Sequence, residues 1–495
     1  MGLRTHRAGN VAVGSEIRHT RRVGRPAAQR GDATLAFGEK HVPEESPHNL
    51  SARDAALEAL TRVEEGAGLL RDELRDLFKH FDLEPRDRGL ALQLAAGAIR
   101  HRRTLRLIVS HLRGSHGREA SIQPHLRRIL ELGAFQLLFL DRVPAYAVVN
   151  EAARAARRTA GARSGDKAAG FVNGVLRGLG RLIAGRDPEG RPARNALPHP
   201  EGGVVRLKEP VLPDPKESRA AYLGAAYSFP DWLVARWLEA FGDRAEELCR
   251  WSNRRPRVFA RVNPMRESYL SPSELVEGTH AGSVDVSEIE PERLETILTE
   301  GSLTVQDPSA MLAVEALAPA PGENVLDLCA SPGTKTTQIV EAMGDRGHIV
   351  ACDRSEDKLT PIRETVAARG LASVTVCMSD EIASVAPPGG FDAALVDAPC
   401  SNTGVLARRV EVRWRLRPDD LQELPRIQGE LLARAAGLIR PGGRLVYSTC
   451  SLQREENDEV IGRFLKGSPG WRLVRSDLVL PGADHDGVFR ALLAR

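Results

Sequence analysis

The chain is 495 residues long, with 69 basic and 66 acidic residues, a formal charge of +3, 42% hydrophobic residues and only 4% aromatic ones. That length fits two or three domains at about 100–200 residues each, and the near-neutral balance confines any nucleic-acid affinity to local basic patches. Six cysteines with no C-x-x-C pair exclude a disulfide framework and a zinc site of that spacing, no 18-residue apolar run offers a membrane span, and a reducing cytoplasm is the expected location.

Residues 1–46 read as a disordered basic tail. The first 30 hold seven arginines against the single acid Glu16, and no apolar segment of a secretory signal follows. A transit peptide, an arm that touches phosphates and an over-extended start all fit this composition, although serine is nearly absent. No catalytic role is expected there.

Ser51-Ala-Arg-Asp54 then opens a helix as a capping box, and Ala55, Leu57, Leu60 and Val63 recur at helical spacing. Further helices are expected over Leu90–Ser110, Gln123–Leu140, Ala147–Thr159 and Phe171–Leu182, with no strand between them, so residues 47–187 form an all-α domain. Its arginines (Arg100, Arg102, Arg103 and Arg106, then Arg154, Arg157 and Arg158) read from composition alone as a solvated face. Glu131-Leu-Gly-Ala-Phe-Gln-Leu-Leu-Phe-Leu-Asp-Arg-Val-Pro144, Val149-Asn-Glu151 and Gly170-Phe-Val-Asn-Gly-Val-Leu-Arg177 resemble the NusB antitermination family, as do Arg86-Asp-Arg88 and Gly97. The resemblance implies a NusB-like RNA-binding domain.

Residues 188–220 are rich in Pro, Gly, Arg and Glu and read as a linker. Residues 221–305 read as a small α+β subdomain. In it Ser228 caps a helix with Pro230 in its first turn, and Val258–Asn263 alternates like a half-exposed strand.

The chemistry lies in 306–495. Asn324–Cys329 is an apolar strand, and Ala330-Ser-Pro-Gly-Thr-Lys335 is a tight turn into a helix that brings backbone N–H groups near a ligand. The turn is neither a Walker A loop nor G-x-G-x-x-G, so no nucleoside triphosphate is indicated. A second strand, His348–Asp353, ends in an acid 20 residues after Gly333, a position suited to a ribose diol. A third, Ser373–Cys377, leads to Asp380. The fourth is Asp392-Ala-Ala-Leu-Val-Asp-Ala-Pro-Cys400, carrying Asp397 and Cys400, and Gly443-Arg-Leu-Val-Tyr-Ser-Thr-Cys-Ser451 delivers Cys450. One acid alone reads equally well as a helix cap, Asp380 above all, and one free cysteine as packing. Together, acids on successive strand tips suit a ligand with ribose and amine groups, as S-adenosylmethionine has, and two strand-end thiols suggest a site.

Gln306-Asp-Pro-Ser309, Asp327-Leu-Cys-Ala-Ser-Pro-Gly-Thr-Lys-Thr336, Asp397-Ala-Pro-Cys-Ser-Asn-Thr-Gly-Val-Leu406, Arg413-Trp414, Ser448-Thr-Cys-Ser451, Glu455-Glu-Asn457 and Asp486-Gly-Val-Phe-Arg-Ala-Leu-Leu493 resemble the Sun/Fmu group of RNA cytosine-5 methyltransferases. The resemblance implies an α/β fold: a Rossmann-like S-adenosylmethionine-dependent methyltransferase domain behind the α+β subdomain and the NusB-like domain. It implies that Cys329, Ala330, Ser331, Pro332, Gly333, Thr334, Lys335, Asp353, Asp380 and Asp397 hold the cofactor. It also implies Cys450 as nucleophile, Cys400 as the residue assisting its release, and Asp397 near both base and cofactor. A NusB-like domain in front is similar to the branch that methylates 16S ribosomal RNA, so the expected partner is small-subunit rRNA, bound by a monomer without metal or membrane. Two departures stand out. Ser331 and Thr334 replace the usual Ala and Gly, and Ala407-Arg-Arg-Val-Glu-Val412 replaces a run expected to meet substrate.

The residues point to the same chemistry on their own terms. Cytosine C5 attacks a methyl donor only after a nucleophile has added to C6, and a thiolate adds well. The base must be unstacked to reach the pocket, at a cost of a few kcal/mol. Arg408, Arg409, Arg413, Arg415 and Arg417 follow Cys400 and read equally as phosphate contacts or as a solvated helix approach. Two competing functions are a DNA cytosine-5 methyltransferase, which has no reason to carry the second thiol, and a catalytically dead RNA-binding scaffold.

Overall fold

The computed structural model describes residues 50–66, 68–114, 122–266, 278 and 280–495; the expected tail, 1–46, lies outside them. Helices come first: Ala52–Glu64, Leu70–His80, Pro85–Arg100, Arg102–Leu112, Pro124–Phe139 and Ala145–Leu182. Ser51 caps the first, its Oγ accepting from the Asp54 N–H at 3.2 Å. The single helix expected over Leu90–Ser110 is two, divided at His101. The two expected over Ala147–Thr159 and Phe171–Leu182 run on into each other except at Gly161, whose φ of 70° and ψ of 175° break the helical path.

The stretch read as a linker is a correction. Strands β1 (Ile183–Asp187), β2 (Ala196–Pro198) and β3 (Val204–Leu207) form an antiparallel sheet in the order β1-β3-β2. Leu197, Val205 and Leu207 are buried in the same core as the helices. The Pro/Gly/Arg composition conceals strands only three to five residues long. Ser228 is the second correction. At φ 62° it ends the helix Arg219–Tyr227 in the left-handed region, and Pro230 caps the next one, Asp231–Phe241. The Ser228 Oγ instead accepts from the backbone N–H of Arg103 at 2.9 Å.

Beyond the helix Arg244–Asn253, β4 (Phe259–Val262) lies between β5 (Ser283–Asp285) and β6 (Leu303–Val305) in a second small antiparallel sheet. The main sheet holds β7 (Asn324–Leu328), β8 (His348–Asp353), β9 (Val374–Met378), β10 (Phe391–Asp397), β11 (Ile439–Thr449), β12 (Arg472–Val479) and β13 (Val488–Ala494). Their order is β12-β13-β11-β10-β7-β8-β9; β7 to β11 run parallel, and β13 and β12 close one edge antiparallel. Both faces are covered, which is why the parallel strands read as unbroken apolar runs. Leu326, Ala394, Val396, Leu445 and Tyr447 share a core cluster with Leu432 and Ile461 on one face. Val325, Ile349, Ala393, Leu395 and Val446 meet Val314 and Ile339 on the other. The chain departs to opposite sides from β7 and β10, a topological switch point, and ligands bind outside the carboxyl ends of strands at such a place.

The regions are joined at the segment after Cys400. Arg413 is fully buried, and its guanidinium donates to the carbonyls of Arg100 (3.2 Å), Ser228 (3.4 Å), Ser252 (3.0 Å) and Leu406 (3.2 Å) and to Asn253 Oδ1 (2.7 Å). It also lies 4.1 Å from the centre of the Phe229 ring. Trp414 donates to the Ile99 carbonyl at 2.8 Å, and Arg415 to that of Gly68 at 2.5 Å. Neither reading of these arginines, as phosphate contacts or as a solvated approach, describes Arg413, which is buried and binds the protein's own backbone. Arg415 stays exposed, with one nitrogen on the carbonyls of Val63 and Gly68. Among the described residues no helix is long and apolar enough to cross a membrane.

Replacing Arg413 by Met keeps an unbranched stem but leaves five buried acceptors without their donor. Each hydrogen bond from a charged group contributes about 1.5–3 kcal/mol, so Arg413→Met should cost at least ~3 kcal/mol. A clearly lowered urea midpoint is the expected reading, and an unchanged one overturns this role.

Candidate active site

Cys400 and Cys450 arrive from adjacent parallel strands, Cys450 directly after β11 and Cys400 three residues after β10. Their Sγ atoms lie 3.2 Å apart. The loops carrying them are tied together by Glu456, a fully buried carboxylate. Its Oε1 accepts from the Ser401 N–H at 2.8 Å and from Gln428 Nε2 at 3.0 Å. Its Oε2 accepts from the hydroxyls of Ser401 at 2.5 Å and Ser451. Tyr447 donates to the Glu456 carbonyl at 2.6 Å, and Thr449 to Asn457 Oδ1 at 2.6 Å, fixing the end of β11. Asn402, at φ 56°, spans the thiols: its Oδ1 accepts from Cys450 Sγ at 3.2 Å and its Nδ2 donates to the Cys400 carbonyl at 2.7 Å. Hydrogen bonding to Cys450, then burial, hold the Cys400 thiol well above its ordinary pKa.

The turn after β7 sits beside them. Cys329 has a φ of 67° and Gly333 one of 101°. The Ala330 N–H donates to the Cys352 carbonyl (2.9 Å), and its carbonyl accepts from Gly333 (2.7 Å), so the turn is fixed at both ends. A Cβ on Gly333 would stand 3.4 Å from Ile362, and its φ is unfavourable for any other residue. Pro332 is exposed and Ser331 half-buried. Thr334 opens the helix Thr334–Met343, and its carbonyl accepts from Arg261 of β4 at 3.2 Å. Arg261 is itself buried and grips Glu341 of the same helix through two nitrogens, at 2.7 and 2.8 Å. The small subdomain thereby fixes the helix that begins at the turn.

Three carboxylates converge here. Asp353, at the end of β8, accepts from the N–H groups of Ser331 (3.3 Å) and Arg354 (2.7 Å) and pairs with Lys358 at 3.2 Å. Asp397 pairs with Lys335 Nζ at 2.6 Å. Burial pulls the Lys335 pKa down, but Asp397 and Cys450 more than offset this and leave it raised. Asp327 is fully buried; one oxygen takes the Thr336 hydroxyl at 2.6 Å and the other has no partner. Burial first, with Asp397 and Asp353 adding to it, pushes Asp327 up to about 7. Asp327 keeps one oxygen without a donor, and the three carboxylates outnumber the two lysines paired with them, so these residues fit S-adenosylmethionine, a cation bearing a diol and an ammonium. Asp380 is placed differently. It lies in the exposed one-turn helix Ser379–Glu381 after β9, and among the described residues its carboxylate makes no hydrogen bond. Sequence reasoning missed Asp327, Asn402 and Glu456 as functional residues, although all three fall within the motifs quoted above. The available signal was an acid or amide at a strand end or beside a thiol.

Fold and site together define a methyltransferase, and the comparisons narrow the class. Residues 314–488 match the family 16S rRNA methyltransferase RsmB/F, residues 50–181 the NusB family, and 229–275 the RsmF/B-like ferredoxin-like domain. The probable ribosomal RNA small subunit methyltransferase B of Bacillus subtilis is 32% identical over 85% of this chain and 89% of its own. That of Synechocystis is 34% identical over 85% and 90%, and the ribosomal RNA small subunit methyltransferase B of Vibrio cholerae 30% over 90% and 98%. The crystal structure of PH0851 has a like fold, with a TM-score of 0.69 at 24% identity over 91% of this chain and 100% of that one. The chain belongs to the RsmB/F family of S-adenosylmethionine-dependent 16S rRNA methyltransferases. A DNA enzyme, the first competing function, is thereby set aside.

Two measurements check the cofactor side. Asp353→Ala removes a charged acceptor worth about 1.5–3 kcal/mol, so S-adenosylmethionine should bind roughly 10–100-fold more weakly by calorimetry. Unchanged affinity in a folded variant removes Asp353 from the site. For Asp327, the folded protein keeps a proton that the unfolded chain releases between 3.8 and about 7. The stability that Asp327 contributes without cofactor therefore falls as pH rises through that window. Asp327→Asn should flatten this fall in melting temperature, and an identical pH profile in the variant shows that Asp327 does not cause it.

Proposed function

We propose that this protein methylates C5 of a cytosine in 16S ribosomal RNA through a covalent bond between Cys450 and C6. The observation that carries the proposal is the pair of thiols 3.2 Å apart beyond the carboxyl ends of β10 and β11, beside the switch point of the sheet. In this reading the Cys450 thiolate forms the S–C6 bond, and the C5–C6 π electrons move to C5 as an enamine. S-adenosylmethionine, when bound, supplies the electrophilic methyl group that C5 takes. The Cys329–Lys335 turn, Asp353 and Asp397 hold that cofactor, and Asp327 adds a buried acceptor to the set. Asp380 belongs to it by strand position alone.

Cys400 then removes the C5 proton; the C5–H electrons restore the double bond, and the S–C6 bond breaks to return Cys450 as thiolate. The electrostatics favour this order. The largest cause holding Cys400 protonated is its hydrogen bond with Cys450. Once Cys450 is bound to C6 as a thioether, that hydrogen bond and charge are gone. Although burial and Glu456 still oppose it, Cys400 gives up its proton to water more readily and can then act as base. Lys335, whose positive charge is favoured by both Asp397 and Cys450, sits where it supports a thiolate before attack. Glu456 and Asn402 are positioning residues, holding the two loops in register. The competing picture of a dead scaffold has no use for two thiols held this closely.

Separate replacement of the thiols tests the scheme. Cys450→Ala should abolish both 5-methylcytosine and any protein–RNA adduct. Cys400→Ala should still attack and methylate but stall before release, leaving an adduct that survives denaturing electrophoresis. An adduct with Cys450→Ala and none with Cys400→Ala would reverse the assignment, and no adduct in either would reject covalent catalysis. Bisulfite sequencing of rRNA from cells lacking the gene identifies the modified nucleotide.

A further inference from the structure

The helix Arg244–Asn253 leads into β4 through the run Trp251-Ser-Asn-Arg-Arg-Pro-Arg257. This run faces the loop after Cys400 across a narrow groove, whose walls include Trp251, Arg254, Arg255, Gly404 and Arg408. Gly404 links the groove to the nucleophile, because its N–H donates to the Cys450 carbonyl at 2.9 Å. A Cβ there would press to 2.6 Å from the Gly487 carbonyl oxygen, so the wall is bare backbone.

The charges in and around this groove are unbalanced. Arg408 is neutralised by Asp307 and Asp486. Among the described residues, Arg71, Arg254 and Arg255 have no carboxylate within ion-pair distance. The Arg254 guanidinium lies 4.2 Å from the centre of the Trp251 ring, and Arg250 lies 5.4 Å from it. Arginine is crowded by arginine. Burial, then Arg408, lowers the pKa of Arg71; burial, then Arg71 and Arg255, lowers Arg100 to about 10; burial, then Arg250, lowers Arg254. Asp484 lines the same groove, pairs with Arg257 and offsets part of this crowding at Arg254, as Glu411 and Asp486 do at Arg71. Burial and the neighbouring cations outweigh them, and a polyanion relieves what is left.

We propose that the RNA strand flanking the target cytosine crosses this seam, its phosphates held by Arg71, Arg254 and Arg255. The Trp251–Arg254 stack then offers a platform for a neighbouring base. This rests on the assignment of the RNA reaction to the cysteine site, and it goes further by naming the path of the strand. It also makes the substrate bridge two regions, since Arg71 belongs to the helix Leu70–His80 and the other two to the loop before β4.

The test is binding of a protein-free 16S rRNA transcript to the full chain, by fluorescence anisotropy across a salt series. The double variant Arg254→Gln/Arg255→Gln, and separately Arg71→Gln, should weaken binding about tenfold or more. Each should also flatten the salt slope by about 0.7 for every single-strand phosphate the variant no longer neutralises. S-adenosylmethionine affinity should stay at the parent value. Arg346→Gln, exposed at the opposite, amino edge of the sheet, should change none of these. Parent-like affinity and slope in the double variant overturn the proposal. If that variant also loses cofactor binding, the exposed Arg255→Gln alone decides by the same two readouts. A parent protein that binds RNA yet forms no 5-methylcytosine rejects the chemistry and leaves this binding test intact.

Discussion

One buried cation, Arg413, holds the regions of this protein together. Its five acceptors come from the end of a NusB-like helix, from Ser228 at the end of the helix Arg219–Tyr227, from the last turn of the helix Arg244–Asn253, and from the loop after Cys400. A guanidinium in a core costs several kcal/mol of desolvation unless its donors find partners. Here both terminal nitrogens donate to carbonyls and an amide oxygen beside an aromatic face, while Nε makes no hydrogen bond. Trp414 and Arg415 extend the same contact to Ile99 and Gly68. Leu406, Val410 and Leu452 share one hydrophobic core with the N-terminal helices. The helical region is therefore part of the scaffold that shapes the cysteine loops, and removing it would expose the core behind them.

Glu456 plays the corresponding part for the thiols. Two loops leaving neighbouring parallel strands have no intrinsic reason to converge, because the ladder that holds the strands ends at Asp397 and Ser448. The buried carboxylate supplies that reason by accepting from Ser401 on one loop and Ser451 on the other. Hydrogen bonds to an ionised acceptor are short and about twice as strong as neutral ones, so they fix position closely. Asn402 adds a contact to Cys450 itself, at a left-handed φ that asparagine tolerates better than most residues. Arg413 and Glu456 are both buried ionisable groups bonded to neutral partners, so neither depends on a salt bridge that a bound phosphate could compete for.

What the sequence revealed and what it hid follow from the range of the interactions. The β7–β11 strands were legible because burial on both faces leaves uninterrupted apolar runs, and their tips were legible because the acids and thiols stand just beyond those runs. Gly333 and Asp353 were found by a spacing that the geometry of a strand, turn and helix imposes. The 183–207 sheet was not, since three short strands make no periodic signal against a Pro- and Gly-rich background. Ser228 looked like a cap because a serine two residues before a proline usually is one; its left-handed backbone, stopping the preceding helix, is visible only in three dimensions. Glu455 and Glu456 are indistinguishable in sequence, yet one pairs with Arg236 at the surface and the other is sealed under the cysteines.

The arginines show the same limit most clearly, and they resolve how a chain of charge +3 can serve an RNA substrate. Composition counts every guanidinium alike, but the fold divides them. Arg100, Arg413 and Arg415 spend their donors on backbone carbonyls, while Arg408 is cancelled by two carboxylates. Among the described residues, Arg71, Arg254 and Arg255 stand in no ion pair beside the same loop. Because the first set fixes the loop that the second set borders, a positive surface can sit next to Cys450 without being drawn into the protein's own ion pairs. Net charge cannot reveal such a surface; only the accounting of partners, residue by residue, does.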